Sequence, residues 1–205
     1  MLEVINLGCA RGQRKLFSGL NFSVPAGGLL EAIGPNGSGK TSLLRIICGL
    51  MSPIEGEVRF KGKTIRHLGE EYFDTMAYVA HQNGVKDELS PFENLRISTG
   101  VAGKNLSPRE AVTILERVGL RKQQNLPARL LSAGQRRRLG LSRLLAGKAT
   151  LWILDEPLSS LDVEGMTLVG ELIGAHLNGG GMAIIATHQE LNLTVGSTQR
   201  IDLAT

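Results

Sequence analysis

The stretch from Gly34 to Thr41 constrains the fold of this chain most, because it matches the pattern G-x-x-x-x-G-K-[ST] at every fixed position. The apolar run 29–33 before it predicts a buried strand, and the segment 41–50 after it predicts a helix. Four apolar side chains of this helix should face inward: Leu43, Leu44, Ile46 and Ile47. A strand, a glycine-rich turn and a helix are the context in which this motif binds phosphate. The sequence therefore predicts a P-loop rather than a turn that binds nothing.

The residue types of this loop explain how it would hold a nucleotide. Glycines let the backbone approach the phosphates, so that backbone N–H groups and the helix N-terminus point at negative charge. Lys40 is expected to reach the β- and γ-phosphates, and Thr41 is expected to ligate Mg²⁺. The predicted nucleotide contacts in this stretch are Gly34, Pro35, Asn36, Gly37, Ser38, Gly39, Lys40, Thr41 and Ser42.

A second motif follows the apolar segment 151–154, which predicts a buried strand. Asp155 and Glu156 come directly after it, at the carboxyl end of a strand, where ligands gather in open α/β sheets. We expect Asp155 to hold Mg²⁺ and Glu156 to polarise the water that attacks the γ-phosphate. Two carboxylates after an apolar strand are a weak signal alone. Together with the P-loop they indicate a Walker B motif and ATP hydrolysis.

Composition sets the outer limits of these predictions. With 205 residues, 42% of them hydrophobic, the chain can bury one substantial core. It has no apolar run of about 18 residues and no signal-peptide pattern, so we expect a soluble, cytoplasmic protein. Cys9 and Cys48 are isolated, which predicts two packed thiols and neither a disulfide framework nor a zinc site. The net charge of +4 fits nucleic acid, an anionic membrane or phosphate binding equally well.

Periodicity along the chain predicts the remaining elements. Further strands are predicted at 2–7, 20–24, 57–60, 76–80 and 182–186, with a turn at 8–12 between the first two. Helices are predicted at 91–95, from Pro108 with a stripe of Val112, Leu115 and Val118, at 135–146 and at 163–177. Because strands alternate with helices, the predicted fold class is α/β. It is a P-loop NTPase parallel-sheet core with an N-terminal antiparallel β-layer and an inserted helical lobe at about 88–147, in one domain over 1–205.

The segment 131–135, Leu-Ser-Ala-Gly-Gln, resembles the signature of the ATP-binding cassette (ABC) family, which is usually L-S-G-G-Q. The family's motifs occur in its order over nearly the whole chain. They are the P-loop, Gln82 for the Q-loop, the signature, Walker B, 159–162 for the D-loop and His188 for the switch histidine. Ala133 stands where glycine is usual, and its methyl group is expected to loosen closure on the nucleotide slightly.

The resemblance implies that the chain hydrolyses ATP with Mg²⁺ as a head-to-tail pair of identical cassettes. Each signature would close on the ATP held by the other subunit's P-loop. A serine hydroxyl and a bare glycine N–H at a helix start suit such an anion. The implied catalytic residues are Lys40, Gln82, Glu156 and His188, with Gln82 also reaching Mg²⁺ beside Thr41 and Asp155. The implied nucleotide contacts outside the P-loop are Arg11, Ser132, Gly134, Gln135 and Asp162.

Arg11 occupies the place where the family usually stacks the adenine on an aromatic residue. A guanidinium can stack on a base, but stacking reads no hydrogen-bonding edge of that base. Poor selectivity between ATP and GTP is the resulting expectation. Arg11 as an ordinary surface charge is the alternative.

Within the family, segments 81–89 and 131–138 resemble the ATP-binding subunits of cytochrome c maturation (haem export) complexes. This implies a peripheral protein on the cytoplasmic side of the bacterial inner membrane, docked on separate integral membrane subunits through segment 82–95. Phe92 is expected to anchor this surface, and Phe92 as a plain core residue is the alternative. ATP hydrolysis would drive haem delivery or release of a haem-loaded chaperone. No direct haem binding is expected, because the histidines are scattered: His67, His81, His176 and His188.

Three other functions remain as alternatives. One is a cassette that acts on nucleic acid or the ribosome, although the long coiled coil or second cassette usual there is missing. Another is an importer or exporter cassette for a different substrate. The third is a P-loop small-molecule kinase, which Glu156 and the signature disfavour. We interpret Arg136, Arg137 and Arg138 as a solvated helix face near an anionic ligand, and we expect no nucleic-acid partner.

Overall fold

The computed structural model describes residues 1–188 and 197–204. The chain divides into two compact units. The first consists of Met1–Tyr78, Ala149–Glu156 and Ile173–Thr205, and the second of Val79–Lys148 and Pro157–Leu172. The single-domain assignment with a lobe at about 88–147 stays a prediction. None of the helices in the described ranges is long and apolar enough to cross a membrane.

The elements follow in chain order. The strands are β1 (Leu2–Arg11), β2 (Arg14–Val24), β3 (Gly28–Ile33), β4 (Glu55–Phe60), β5 (Lys63–Thr64), β6 (Met76–Val79), β7 (Leu151–Asp155), β8 (Met182–Ala186) and β9 (Ser197–Asp202). The helices are α1 (Lys40–Ile47), α2 (Ile65–Leu68), α3 (Glu70–Thr75), α4 (Pro91–Val101), α5 (Pro108–Arg117), α6 (Ala133–Ser142) and α7 (Val163–Asn178). Short 3-10 helices cover Arg121–Gln123, Ala128–Leu130 and Arg143–Ala146.

A four-stranded antiparallel sheet of order β2-β1-β4-β5 forms the N-terminal layer, as expected. The predicted turn at 8–12 is wrong in its extent, because β1 continues to Arg11. Register shifts after Val4, Leu7 and Cys9 let the strand absorb these residues as bulges. The connection to β2 shrinks to two residues, of which Gly12 has φ 61°.

The second sheet has the order β6-β7-β8-β3-β9, and its pairs β7–β8, β8–β3 and β3–β9 are parallel. β3, β7 and β8 are buried along nearly their whole length, as their apolar runs predict. The edge strand β9 was missed, because its sequence Ser-Thr-Gln-Arg-Ile-Asp is almost entirely polar. It carries Arg200, which pairs at 2.9 Å with the buried Glu31 of β3.

The core of the first unit lies between α1 and the strands. The four predicted inward residues of α1 are all buried, and they share a cluster with Leu30, Ala32, Ile153, Ile184 and Ala186 of the parallel sheet. Cys9 and Cys48 are buried and free, which confirms that both are packed thiols. Beneath β7 the ring of Trp152 stacks on His176 with centroids 3.9 Å apart and an angle of 6° between the planes.

The second unit has its own helical core, made of Leu95, Ala111, Ile114, Leu115, Val118, Leu120, Ala128, Leu131 and Leu139. α4 runs to Val101, six residues beyond the predicted end at Leu95. In α5 the buried stripe uses Ala111 and Ile114, while the predicted Val112 is only half-buried. α6 begins at Ala133 and gives way to a 3-10 turn after Ser142, so the predicted single helix 135–146 is wrong at both ends.

Candidate functional site

The P-loop joins β3 to α1 in the conformation that its glycines permit. Gly34, Gly37 and Gly39 have φ of 143°, 83° and 108°, which residues with a Cβ rarely adopt. A Cβ on Gly39 would also lie 3.1–3.2 Å from Phe17 and Leu16 of β2. Gly39 is the N-cap of α1, and no side chain caps this helix. The first N–H groups of α1 therefore depend on a ligand or solvent for partners.

Two polar side chains of the loop fit an anion. Lys40 is 6% exposed, and its Nζ donates to the loop's own carbonyl oxygens, at 2.6 Å to Gly34 and 3.2 Å to Pro35. The Ser38 hydroxyl is buried and has no hydrogen-bond partner among the described residues. A buried orphan of this kind is costly unless a ligand satisfies it. The loop thus has one cation and one hydroxyl that phosphate oxygens would satisfy.

Thr41 and Asp155 meet at the sheet edge, as predicted for two ligands of one metal ion. The Thr41 hydroxyl donates to Asp155 Oδ2 at 2.9 Å, and Asp155 is 2% exposed. Oxygen donors of this kind are what Mg²⁺ prefers, so the residues present fit that ion. Burial, together with the negative charge of Asp155, raises the pKa of Cys48 to about 12. The charge of Asp155 is therefore felt in the core.

Glu156 and His188 form the second pair at this edge. His188 Nδ1 lies 2.8 Å from Glu156 Oε2, and their side chains are 55% and 12% exposed. Because an ionised carboxylate can only accept, Nδ1 is the protonated nitrogen in this pair. Glu156 has φ 51°, and its N–H donates to the Ala186 carbonyl oxygen at 2.8 Å. The first unit thus brings together four predicted residues: Thr41, Asp155, Glu156 and His188.

Ser42 contacts the antiparallel sheet, and Arg11 lies in the β1–β2 hairpin of that sheet. The hydroxyl of Ser42 contacts the Cys9 thiol, whose pKa is raised by burial and lowered in part by this contact. Arg11 ends β1 opposite Arg14 and is exposed. The same hairpin brings β2 against Gly39, so Arg11 belongs to the strand pair that borders the P-loop. Its stacking role stays a prediction.

The signature segment begins α6 with a complete capping box. Gln135 N–H donates to Ser132 Oγ at 3.1 Å, and Ser132 N–H donates to Gln135 Oε1 at 2.9 Å. The hydroxyl proton of Ser132 is not used by any bond among the residues that the structure describes. The N–H groups of Ala133 and Gly134 have no partner within the helix. This exposed helix start therefore keeps one hydroxyl and two amides as donors for an anion.

The D-loop segment 159–162 of the second unit lies against this helix start. A Cβ on Gly134 would lie 2.9 Å from the Ser160 carbonyl oxygen, so glycine allows α6 to approach the D-loop segment. Asp162 Oδ1 accepts from Gly165 N–H at 2.8 Å and thereby caps α7. Asp162 has a structural use here, and its nucleotide contact stays a prediction. Ala133 is exposed at the surface of this segment.

Gln82 follows β6 with an exposed side chain. Its neighbours are bonded to Arg137, which is 1% exposed and donates to the carbonyl oxygens of Ala80 and His81. The interpretation of 136–138 as a solvated face is therefore wrong for Arg137. Arg137 shares one helix face with the buried Leu141, one turn later, and this spacing could have revealed its burial. Arg136 pairs with Asp87, and Arg138 donates to the Val118 carbonyl oxygen.

Comparison with known proteins agrees with this geometry. The profile of the family described as "ABC transporter" matches residues 17–159. The chain is 53% identical over 202 residues to the cytochrome c biogenesis ATP-binding export protein CcmA of Nitrosospira multiformis, covering 98% of each chain. It is 48% identical over 204 residues to the protein of the same name from Nitrosomonas europaea, covering 100% of this chain and 96% of that one.

Solved structures confirm the predicted fold class. A putative ABC transporter ATP-binding protein from Pyrococcus furiosus has a TM-score of 0.84 at 24% identity, covering 97% of this chain and 96% of that chain. A dimeric ATP-binding cassette in a post-hydrolysis state with ADP and Pi has a TM-score of 0.77 at 24% identity, covering 92% and 88%. The chain therefore belongs to the ABC transporter family, among the relatives of its cytochrome c biogenesis ATP-binding export proteins.

Proposed function

We propose that the chain is the ATP-hydrolysing subunit of a cytochrome c biogenesis export system. Two contacts at the carboxyl end of β7 support ATP hydrolysis most directly. Thr41 is hydrogen-bonded to Asp155, and Glu156 is hydrogen-bonded to His188. The export system is proposed from the relatives, whose printed names are cytochrome c biogenesis ATP-binding export protein.

In this proposal the P-loop holds the phosphates of ATP. Lys40 exchanges its bonds to the Gly34 and Pro35 carbonyl oxygens for bonds to the β- and γ-phosphates. The Ser38 hydroxyl, now without a partner, donates to a phosphate oxygen. The uncapped N-terminus of α1 adds backbone N–H donors and a favourable helix dipole. Arg11 stacks on the base without reading its edge.

Thr41 and Asp155 would hold Mg²⁺, with Gln82 as a further ligand. When bound, the ion supplies positive charge against the β- and γ-phosphate oxygens. Asp155 is buried beside Thr41, and a buried charge is costly unless a partner or a metal ion compensates for it. The hydrogen bond from Thr41 keeps that carboxylate aimed at the P-loop side of the sheet edge.

Glu156 is the proposed general base that orients and polarises the attacking water. His188 donates from Nδ1 to Glu156 and so fixes the carboxylate in one rotamer. The mostly buried position of Glu156, with a side chain 12% exposed, limits competing bulk water. Nε2 of His188 remains for a contact with the γ-phosphate.

A second copy of the chain completes the site in this proposal. The start of α6 carries donors that suit an anion, and a head-to-tail pair would bring Ser132 and Gly134 to the γ-phosphate on the other subunit. Gln135 and Asp162 would lie at the edge of that contact. The dimeric cassette with ADP and Pi is of this fold, which supports the arrangement.

Transport requires partners that cross a membrane, and no described helix of this chain is suited to do so. We therefore propose separate integral membrane subunits, with this chain bound peripherally on the cytoplasmic side of the inner membrane. Segment 82–95 is the proposed docking surface. Haem or a haem-loaded chaperone would be handled by those subunits, and this chain is not proposed to bind haem or nucleic acid.

The test replaces the chromosomal copy with Glu156→Gln in a bacterium that makes c-type cytochromes. We expect turnover of purified protein to fall by about 100-fold or more with ATP binding retained, because the amide keeps the shape but removes the base. Haem staining should show loss of covalently bound c-type cytochromes, and ATP-dependent dimers should accumulate. Glu171→Gln, the same change at an exposed position of α7, is the control and should behave like the parent.

Two results would contradict the proposal. Parental turnover in Glu156→Gln would remove Glu156 from the mechanism. Normal c-type cytochromes in a strain whose only copy is inactive Glu156→Gln would assign the ATPase to another transported substrate or to a task outside transport.

A further inference from the structure

Arg137 lies in the middle of α6 and is 1% exposed. A charged side chain is buried this far only where its N–H groups find acceptors. Nε donates to the Pro157 carbonyl oxygen at 3.2 Å. Nη1 donates to the carbonyl oxygens of Ala80 and His81 at 3.1 and 3.2 Å and to Asn83 Oδ1 at 2.8 Å. One guanidinium therefore joins α6 to two separate stretches of chain within the second unit.

Three of these acceptors flank Gln82, two before it and one after it. Gly140, almost one turn after Arg137, brings α6 close to the same loop, since a Cβ there would lie 3.2 Å from the Cβ and the carbonyl oxygen of Asn83. Arg137 thus bonds the backbone before Gln82 and the side chain of the residue after it. The Gln82 side chain itself stays exposed and available to a ligand.

The chain that follows this loop is held by a different residue. Asn94 is buried, and its amide donates to the carbonyl oxygens of Lys86, Leu89 and Ser90, while its Oδ1 accepts from Lys86 N–H at 2.7 Å. These bonds tie the segment 86–90 to α4. The stretch 80–83 is not bonded by Asn94, and three of its residues are bonded by Arg137 instead.

The fourth acceptor, Pro157, directly follows Glu156 in the chain. Glu156 has φ 51°, a left-handed conformation that costs free energy for any residue with a Cβ. The hydrogen bond from Arg137 to the Pro157 carbonyl oxygen opposes relaxation of the turn that follows Glu156. The planar guanidinium can serve both stretches at once, because its donors are spread over a rigid fork that an ammonium group lacks.

We propose that Arg137 is a positioning residue for hydrolysis, which sets the Gln82 loop and the turn after Glu156 together against the signature helix. This rests on the proposed function, in which Gln82 and Glu156 act on the nucleotide and the water. Arg137 is argued to act through the oxygen atoms that it bonds on Ala80, His81, Asn83 and Pro157. A shift of α6 when the second copy closes would move both stretches together.

The experiment measures kcat, the Kd for ATP and the melting temperature of purified Arg137→Lys. We expect kcat to fall by about tenfold or more while the Kd for ATP stays within about twofold. Arg138→Lys is the matched control, because it is the same change on the next residue, whose Nη1 bonds only the Val118 carbonyl oxygen at 3.1 Å among the described contacts. Parental kcat in Arg137→Lys, or an equal loss of kcat in Arg138→Lys, would overturn the proposal.

A double variant separates positioning from general loss of stability. If Arg137 acts through the Gln82 loop, Arg137→Lys combined with Gln82→Ala should lose less kcat than the product of the two single losses. Fully multiplicative losses would mean that Arg137 acts independently of Gln82, against the proposal.

Asn83 offers a second route if Arg137→Lys fails to fold. Asn83→Leu removes the acceptor at 2.8 Å and should lower kcat several-fold, whereas Asn83→Asp keeps an oxygen acceptor and should restore it. Equal kcat in these two variants would overturn the proposal. Failure of the proposed function is recognised separately, by parental turnover in Glu156→Gln.

Discussion

The N-termini of α5 and α6 carry the same capping arrangement. They differ in the third helical residue and in whether the capping serine hydroxyl donates a hydrogen bond to it. In α5, Ser107 and Glu110 satisfy each other, and the Ser107 hydroxyl also donates to Glu110 Oε2 at 2.6 Å. In α6 the third helical residue is Gln135, and the Ser132 hydroxyl donates to nothing within the box. α4 repeats the α5 arrangement with Ser90 and Glu93.

The difference shows what separates a stabilising cap from a site for an anion. A glutamate at this position adds a negative charge at the helix start, so phosphate would be repelled. It also accepts the hydrogen bond of the serine hydroxyl, which is then not available to a ligand. A glutamine still accepts the hydrogen bond from the serine backbone N–H. It adds no negative charge and leaves the hydroxyl proton free to bond a ligand. The capping box is thus compatible with a ligand in α6 and closed to one in α4 and α5.

Ser132→Arg should give the largest effect. In the proposed dimer the long cation would fall in the partner's phosphate site, so we expect a loss of hydrolysis of about 1,000-fold while monomers still bind ATP. ATPase assays and light scattering with ATP check this. An active protein that still dimerises with ATP would mean that α6 does not differ functionally from α5.

Gln135→Glu should give the next largest effect. It converts the α6 box into the α5 box, so the free energy of unfolding should hardly change, while hydrolysis should fall by about tenfold, which corresponds to about 1.4 kcal/mol. The reciprocal Glu110→Gln in α5 is the control and should leave hydrolysis at the parental rate. Unimpaired hydrolysis in Gln135→Glu would show that the charge at this position does not matter.

Ser132→Ala and Ser107→Ala sharpen the comparison further. Each removes a capping oxygen, so each should lower the free energy of unfolding by about 1 kcal/mol in urea titrations. Hydrolysis should fall several-fold only for Ser132→Ala, because only this hydroxyl has a proton left for the phosphate. Equal hydrolysis in the two variants would assign Ser132 to stability alone.

The smallest effect concerns pH. Hydrogen bonds from the Ser90 backbone and hydroxyl lower the pKa of Glu93 from its ordinary value, and those from the Ser107 hydroxyl and backbone do the same for Glu110. Because the folded values are lowered, these caps stabilise fully above about pH 4.5 and lose that contribution as the pH falls through the folded values. Amide exchange at Glu93 and Glu110, corrected for intrinsic rates, should speed up there, whereas Gln135 should show no such step.

The sequence was sufficient where a pattern is local. The P-loop strand and helix, Walker B and the capping of α5 by Ser107 all follow from short motifs. Their elements lie where they were predicted, except that α1 ends at Ile47 and not at residue 50. Contacts between distant residues were out of reach. The spacing to Leu141 points to Arg137 as the buried arginine, but nothing in the run 136–138 states what it contacts, because that depends on where residues 80–83 and Pro157 pass.

β9 shows the other limit. Its polar sequence lacks strand alternation, and it becomes a strand because β3 offers an edge to pair with. The short helices α2 and α3 were missed for a similar reason, since segments of four and six residues carry too little periodicity to be recognised. Asp162 of the D-loop segment is predicted to contact the nucleotide, and its carboxylate caps α7 in the structure. The sequence motif alone does not indicate this second use.

The stack of Trp152 on His176 provides an internal optical probe. Trp152 is the one tryptophan of the sequence, so all indole emission comes from the strand that ends at Asp155, directly before Glu156. Burial lowers the pKa of His176, which keeps the ring neutral at physiological pH, and a neutral imidazole quenches indole far less than a charged one. A change in this emission when nucleotide is added to the unlabelled protein would therefore report on the strand that carries Asp155.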